Sequence, residues 1–341
     1  MSRELTIVGG GLAGLTLGIA LREADLPVTL IEAGHYPRHR VCGEFISGRG
    51  QAILSRLDLD ARMDEAGLIR AGHARFFAGP RHSNRLRLPQ TAWSISRDVL
   101  DQLLARVFQE RGGVLKTGTR WTHDFTDEGV VRATGRKLAP GGQRGRWMGL
   151  KLHAQNVLLH ADLELHFTPA GYVGLSRLSG GRVNVCGLFR ARPNRAADVF
   201  EQLRGSDGSA LRERLCGATW VDGSRCSVGG LNFGTLGTSA RECAIGDAIA
   251  QIPPLTGNGM SMAIESANLA LRPLSDYAAG RVTWIDACSS IRERSRKAFS
   301  GRLLWGRLFQ KALFQPLFAP LIVQAVCREG SLWQLAFART R

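Results

Sequence analysis

The chain opens on a short β-branched run, Leu-Thr-Ile-Val at residues 5–8, of the kind a buried parallel strand needs. Gly9-Gly10-Gly11-Leu12-Ala13-Gly14 follows at once. A helix-like apolar stretch (Leu15, Leu17, Ile19, Ala20, Leu21) continues from it, with Gly18 one turn beyond Gly14 at the spacing that allows close helix–strand packing. Residues 27–31 read as a second strand ending at Glu32. Leu100, Leu103, Leu104 and Val107 mark one face of a helix beginning near Arg97, with Asp101 on the other face. Residues 147–153, 163–167, 172–176 and 182–189 alternate instead, which predicts an antiparallel sheet with glycine turns. Period 3.6 returns from Met260 to about Leu271. Residues 291–341 begin basic and become apolar and aromatic, cut into short helices at Pro316 and Pro320.

Strand, glycine turn, helix, strand and terminal acid in that order within 32 residues describe a βαβ dinucleotide site. Gly9 permits the tight turn, Gly11 lets the backbone approach a pyrophosphate, and Gly14 lets helix and strand pack closely. The helix start at Leu12 and Ala13 offers unpaired N–H groups and a positive dipole end. Glu32 can accept hydrogen bonds from ribose hydroxyls and would repel a 2′-phosphate, which leaves FAD or NAD.

Composition narrows the partners. The net charge is +16, and with only five lysines (Lys116, Lys137, Lys151, Lys297, Lys311) among 45 basic residues, 45 − 5 = 40 are arginines. They are spread along the chain rather than grouped in a basic run interleaved with aromatics, so no nucleic-acid partner is expected. A solvated arginine-rich surface and attraction to anionic partners both fit. None of the seven cysteines forms a CxxC pair or a Cys/His cluster with metal spacing. No metal is therefore expected, and a reducing, cytoplasmic compartment is. No uninterrupted apolar window of membrane-spanning length and no signal segment occurs.

Further motifs choose between FAD and NAD. Pro37-Arg-His-Arg40-Val-Cys42-Gly-Glu-Phe-Ile-Ser47 follows Glu32, and Cys243-Ala-Ile-Gly246-Asp247-Ala248 comes later. Pro253-Pro254-Leu-Thr-Gly257-Asn258-Gly259-Met260 then opens an Ala/Ser-rich helix. Together with the glycine loop, these resemble FAD-dependent oxidoreductases of the para-hydroxybenzoate-hydroxylase fold. Within them the likeness is to the geranylgeranyl-reductase-related branch, with its CbrA-like oxidoreductases and polyketide-tailoring flavoproteins. The resemblance covers residues 1 to about 275. It implies an α/β architecture: a Rossmann-like FAD lobe (1–75, 101–146, 231–275), an inserted antiparallel substrate sheet (76–100, 147–230) and a C-terminal helical cap (276–341).

It also implies roles. Asp247 would accept a hydrogen bond from the ribityl chain beside Gly246. Pro254, Gly257, Asn258, Gly259 and Met260 would form the turn and helix start that face the isoalloxazine and stabilise negative charge on it. Arg40 and Arg97 would contact the cofactor, and Cys42 is a weak catalytic candidate, set against a buried small hydrophobe. Two departures stand out. The family's central Ala-Asp-Gly turn reads Ala133-Thr134-Gly135, which counts against direct reduction by NADPH. Residues 172–176 lack the aromatic and Phe-Pro of prenyl reductases, which leans the reading toward a monooxygenase-like enzyme tailoring a hydrophobic small molecule. An alkene reductase of the geranylgeranyl-reductase kind is the alternative, and a non-catalytic prenyl- or lipid-binding escort is the alternative of another class. His153, His160 and His166 are scattered on the sheet, with none favoured. The electron source is NADPH, NADH, or a reductase or ferredoxin partner. The C-terminal helices would roof the cavity, pack as core, or touch a membrane surface peripherally.

Overall fold

The computed structural model describes residues 2–79, 81–135, 147–168, 170–190, 199–235, 239–314, 334 and 337–341. Leu5–Val8 lies at the middle of a five-stranded parallel sheet. Its order is Cys243–Ala244, Val130–Arg132, Leu5–Val8, Val28–Ile31, Val114–Lys116. The seven α-helices among the described residues are α1 (Leu12–Glu23), α2 (Arg49–Arg56), α3 (Asp60–Glu65), α4 (Arg97–Glu110), α5 (Ala210–Leu215), α6 (Gly259–Ala278) and α7 (Trp284–Leu313). The apolar run of α1 is buried almost throughout, because α4 and α6 flank it while the sheet lies beneath. Gly18 serves α4 more than the sheet: a Cβ there would stand 2.9 Å from the Phe108 ring, and Ile7 lies further off at 3.6 Å.

α6 runs on to Ala278, past the end near Leu271 that its pattern predicts, and through Pro273. Pro273 removes one N–H from the helix ladder. Burial of Leu274, Tyr277 and Ala278 in the core shared with α1 and Trp284 of α7 offsets that loss. α7 starts on a capping box between Thr283 and Asp286. Its Leu303 is buried, while Leu304 and Leu308 face outward. Pro316, Leu317, Phe318, Pro320 and Leu321 lie outside the described residues. No helix among the described residues is long and apolar enough to cross a membrane.

The second sheet has ten strands. Its main path is Thr219–Trp220, Trp147–Gln155, Val183–Arg190, Gly171–Arg177, Leu163–Thr168, Ile69–Ala78, Leu86–Ser94, Phe45–Ile46. Cys226–Leu231 also pairs with Trp147–Gln155, and Arg81–His82 with Ile69–Ala78. One pairing departs from the antiparallel expectation: Leu163–Thr168 runs parallel to Ile69–Ala78. The chain between those two strands returns through the FAD lobe, and only such a crossover lets neighbouring strands run the same way.

Register divides the sheet into two faces. Leu150, Leu152, Val173, Leu175 and Val185 point to one side, where α5 and Leu203 cover them. The other side turns toward the Cys42–Glu44 segment and is polar at one end (Lys151, His153, Asn184, Ser176). Its apolar end carries Phe76, Leu165 and Phe167, packed with Phe45, Leu88 and Phe337. A Gly18→Val substitution forces the Phe108 ring aside and lowers stability by about 1–3 kcal/mol, measured as a reduced urea midpoint with unchanged slope.

Candidate active site and cofactor cradle

The glycine loop is built around one carboxylate. Gly9 sits at φ +114°, and a side chain there would strike the Ala133 carbonyl oxygen, so only glycine fits. Gly10 N–H donates to Glu32 Oε2 at 2.7 Å, while Gly34 N–H (2.8 Å) and Arg38 Nη1 (2.6 Å) donate to Oε1. Tyr36 closes the loop by donating its hydroxyl to Gly10 O at 2.6 Å. Burial alone would raise the Glu32 pKa, but the Arg38 hydrogen bond, the Gly34 N–H, the Arg38 charge and the Gly10 N–H outweigh it and hold the value at about 2. A ribose hydroxyl reaching Glu32 therefore shares oxygens already engaged by the loop. At Gly11, the N-cap of α1, no side chain caps the helix, and no atom lies within 4 Å of where a Cβ would stand. The unpaired N–H groups at the start of α1 face that open space.

Gly246, at φ +63°, donates its N–H to Ser266 Oγ at 2.7 Å, and Asp247 is exposed between buried Gly246 and Ala248. Ile245 lies one residue past the short strand, still donating to Arg132 O at 3.0 Å. Pro254–Thr256 form a single 3₁₀ turn, and Gly257 follows at φ +61°. Asn258 is the N-cap of α6, yet its amide donates to Thr340 O at 2.6 Å and not to its own helix. With no acid in the first turn either, the N–H groups beginning at Gly259 and Met260 keep their capacity for an outside acceptor. Thr134 is exposed in the turn beside Gly9 and brings no carboxylate there.

The Cys42–Glu44 turn, whose Cys42 packs against the core of the FAD lobe, is tied down on the side of the second sheet. Asn184 donates to Cys42 O (3.0 Å) and Ser176 to Gly43 O (3.0 Å). Glu44, at φ +55° and 0% exposed, accepts from Arg97 N–H (2.9 Å), from Lys151 Nζ (3.1 Å) and from His153 Nε2 (2.7 Å). Burial raises its carboxyl pKa, but His153 and Lys151 outweigh that and leave it below the ordinary range. On the far side of the turn, no atom lies within 4 Å of a Cβ built on Gly43. Burial pushes the Cys42 thiol up, and the neighbouring Arg97 guanidinium draws it partly back.

Arg97 and Asp101 differ from the amphipathic expectation. Asp101 is fully buried rather than on an outer face, because it forms a two-pronged pair with Arg97 (2.9 Å each) and takes Arg40 Nε at 3.5 Å. Arg97 reaches the site with most of its guanidinium already committed. Arg40 is driven down by burial and by Arg38 and Arg97, so three guanidiniums converge on a zone where, among the described residues, Glu32 and Asp101 are the acids paired with them. Of the sheet histidines, only His153 joins this zone. His166 pairs with Glu164 and stacks on Phe77, and His160 contacts Arg75 and Arg214. Glu44 and Lys151 went unread as site residues. Their signal was two polar positions, 151 and 153, two apart in an otherwise apolar strand, which puts both on one face.

Two uncapped helix ends, open space over Gly11 and Gly43, and the arginine cluster suit a long anionic dinucleotide with a planar ring. Residues 3–148 match the family described as an FAD binding domain. The menaquinone reductase of Mycolicibacterium smegmatis is 25% identical over 318 residues, covering 78% of this chain and 75% of that protein. The digeranylgeranylglycerophospholipid reductase of Methanosarcina mazei is 24% identical over 317 residues, covering 78% and 74%. A solved triple mutant of the flavin-dependent brominase Bmp2 superposes with a TM-score of 0.74 at 19% identity, covering 98% of this chain and 93% of that one, which shows a common fold. Residues 3–148 are thus an FAD-binding domain, and the chain as a whole shares its fold with solved flavin-dependent enzymes. Its activity class is that of the FAD-dependent oxidoreductases.

Two outcomes follow from this geometry. Gly11→Val fills the space over the α1 terminus, so the purified protein is colourless and takes up no FAD while its circular dichroism and unfolding midpoint match those of the parent stripped of FAD. Glu32, depressed from 4.5 to about 2, contributes stability that is present above the unfolded-state value and lost as pH falls toward 2. Glu32→Gln therefore flattens the acid limb of stability against pH, measured by thermal unfolding across that window.

Proposed function

We propose that this flavoprotein reduces carbon–carbon double bonds in a hydrophobic, isoprenoid-type small molecule. The observation that carries the reading is Cys42. Reduction of an alkene needs a proton as well as a hydride, and a thiol kept neutral by burial is a proton donor. Arg97 beside it then stabilises the thiolate that remains. Bound and reduced FAD supplies the hydride. The chain does the rest: Gly11, the α6 terminus and the arginine cluster orient the cofactor, while Ser176, Asn184 and Glu44 fix the turn. The apolar wall of Phe76, Leu165 and Phe167 beside the polar end of the sheet suits a lipid chain. The reductase names of two relatives that span most of this chain point the same way.

Monooxygenation of an aromatic or polyketide substrate is the second reading, favoured by the 172–176 strand, which lacks the prenyl-reductase pattern. A non-catalytic escort has no use for the glycine loop and flavin-facing turn kept here. Electrons come from NADH or NADPH, or from a reductase or ferredoxin; Thr134 favours the protein donor. Exposed Leu304 and Leu308 on α7, downstream of the basic 292–297 stretch, fit peripheral contact with the membrane that would hold such a substrate.

Holoenzyme photoreduced without air and given geranylgeraniol in micelles is expected to form a product heavier by two hydrogens per saturated bond. Cys42→Ala slows that step about 10²-fold with the flavin colour retained. A product that gains one oxygen atom only after air is admitted makes the enzyme a monooxygenase instead.

A further inference from the structure

Behind the Cys42 turn, one ring nitrogen has two partners it cannot satisfy together. His39 Nδ1 lies 3.1 Å from Lys151 Nζ and 3.3 Å from Asp98 Oδ1. An ammonium only donates and a carboxylate only accepts. A proton on Nδ1 therefore serves Asp98 and opposes Lys151, and its absence serves Lys151 and opposes Asp98. Asp98 Oδ1 is itself buried. The pair lies at the solvent margin, with side chains 21% and 16% exposed, whereas Lys151 and Glu44 are sealed at 0%.

We propose that His39 is the proton port of the active site, passing protons from solvent and Asp98 to the buried Lys151–Glu44 pair beneath Cys42. This rests on the reductase reading, in which each turnover consumes a proton. The Lys151–Glu44 and His39–Lys151 contacts set the order of the inner transfers. The Cys42 thiolate left after proton donation is reprotonated through Glu44, a carboxylate at rest, which first takes a proton from the Lys151 ammonium at 3.1 Å and passes it on. Glu44 returns to the carboxylate, and Lys151 regains its proton from the His39 imidazolium. His39 is reloaded from water, with Asp98 holding the charged ring. One proton enters, one leaves with the product, and no electrons move along the path. The groups facing His39 are Asp98 from α4, Lys151 and His153 from the sheet, and Glu44 from the turn. Burial and the Lys151 charge lower its pKa while Asp98 opposes them. The ring thus rests neutral at pH 7, ready to receive a proton. His153 stands edge-on to His39 at 5.0 Å and donates Nε2–H to Glu44. Its buried Nδ1 has no hydrogen-bond partner, which keeps His153 a holder of Glu44, outside the path.

The test compares wild type with His39→Gln and Asp98→Asn in multiple-turnover reduction of geranylgeraniol by holoenzyme kept reduced by continuous illumination without air. His39→Gln is expected to leave the first turnover unchanged but slow the turnovers after it about 10²-fold, enlarge their solvent deuterium isotope effect, and recover on addition of imidazole. Asp98→Asn lies between the two. A His39→Gln enzyme with wild-type rate, or a slow one with an unchanged isotope effect and no recovery in imidazole, overturns the port. If wild type itself saturates no double bond, the reductase reading fails separately. The port is then read from iodoacetamide alkylation of Cys42 against pH. Wild type carries an inflection below the ordinary histidine range that His39→Gln lacks, and identical profiles in the two proteins overturn it.

Discussion

A carboxylate sealed from water must find its partners inside the protein, and Glu44 finds them on two separate elements. Lys151 and His153 come from the second sheet, and the Arg97 N–H from the start of α4. A buried ion left without partners costs several kcal/mol, so the sheet, the helix and the turn are held in one arrangement or the charge is stranded. The left-handed backbone at Glu44 shows how firmly that arrangement is imposed, since a non-glycine residue adopts it only when its surroundings demand it. Cys42 and Gly43 inherit their positions from this anchor. Their carbonyls are bound toward the sheet, and their other side is left clear for chemistry.

The same economy recurs elsewhere and changes the meaning of the arginine excess. Arg132 is fully buried against Glu242 and Ala248 O, Arg302 grips Glu265, and Arg97 grips Asp101. Each is a guanidinium whose planar fork meets a carboxylate or carbonyl, a task for which lysine is a poor substitute. Part of the charge that looked like a solvated surface is thus internal scaffolding. Around Arg38 and Arg40 the positive groups exceed the acids available, which suits a diphosphate.

The FAD lobe was legible because each of its residues works through local backbone geometry. Glycines at fixed offsets, an apolar helix and a terminal acid lie within one short stretch, and the parallel order follows from them. The substrate sheet was legible in part, since alternation located its strands but could not show that Leu163–Thr168 pairs in parallel with Ile69–Ala78. Asp101 misled because helical periodicity assigns a charged residue to the outside, and only a buried partner such as Arg97 reverses that. Glu44, Lys151 and His39 went unread for a related reason: they matter through contacts across 53 to 112 positions of chain, which no local pattern records.

Those separations have a kinetic consequence. Ser47 bonds Ser261 across 214 positions and Arg341 across 294, so the pocket's last closures join the most distant parts of the chain. Contacts of such high sequence separation carry the largest loop-closure entropy and form late. The βαβ unit, whose contacts are short-range, can assemble well before the Cys42 turn finds its anchor. A nascent chain would then pass through a stage able to grip a nucleotide but not yet able to use it.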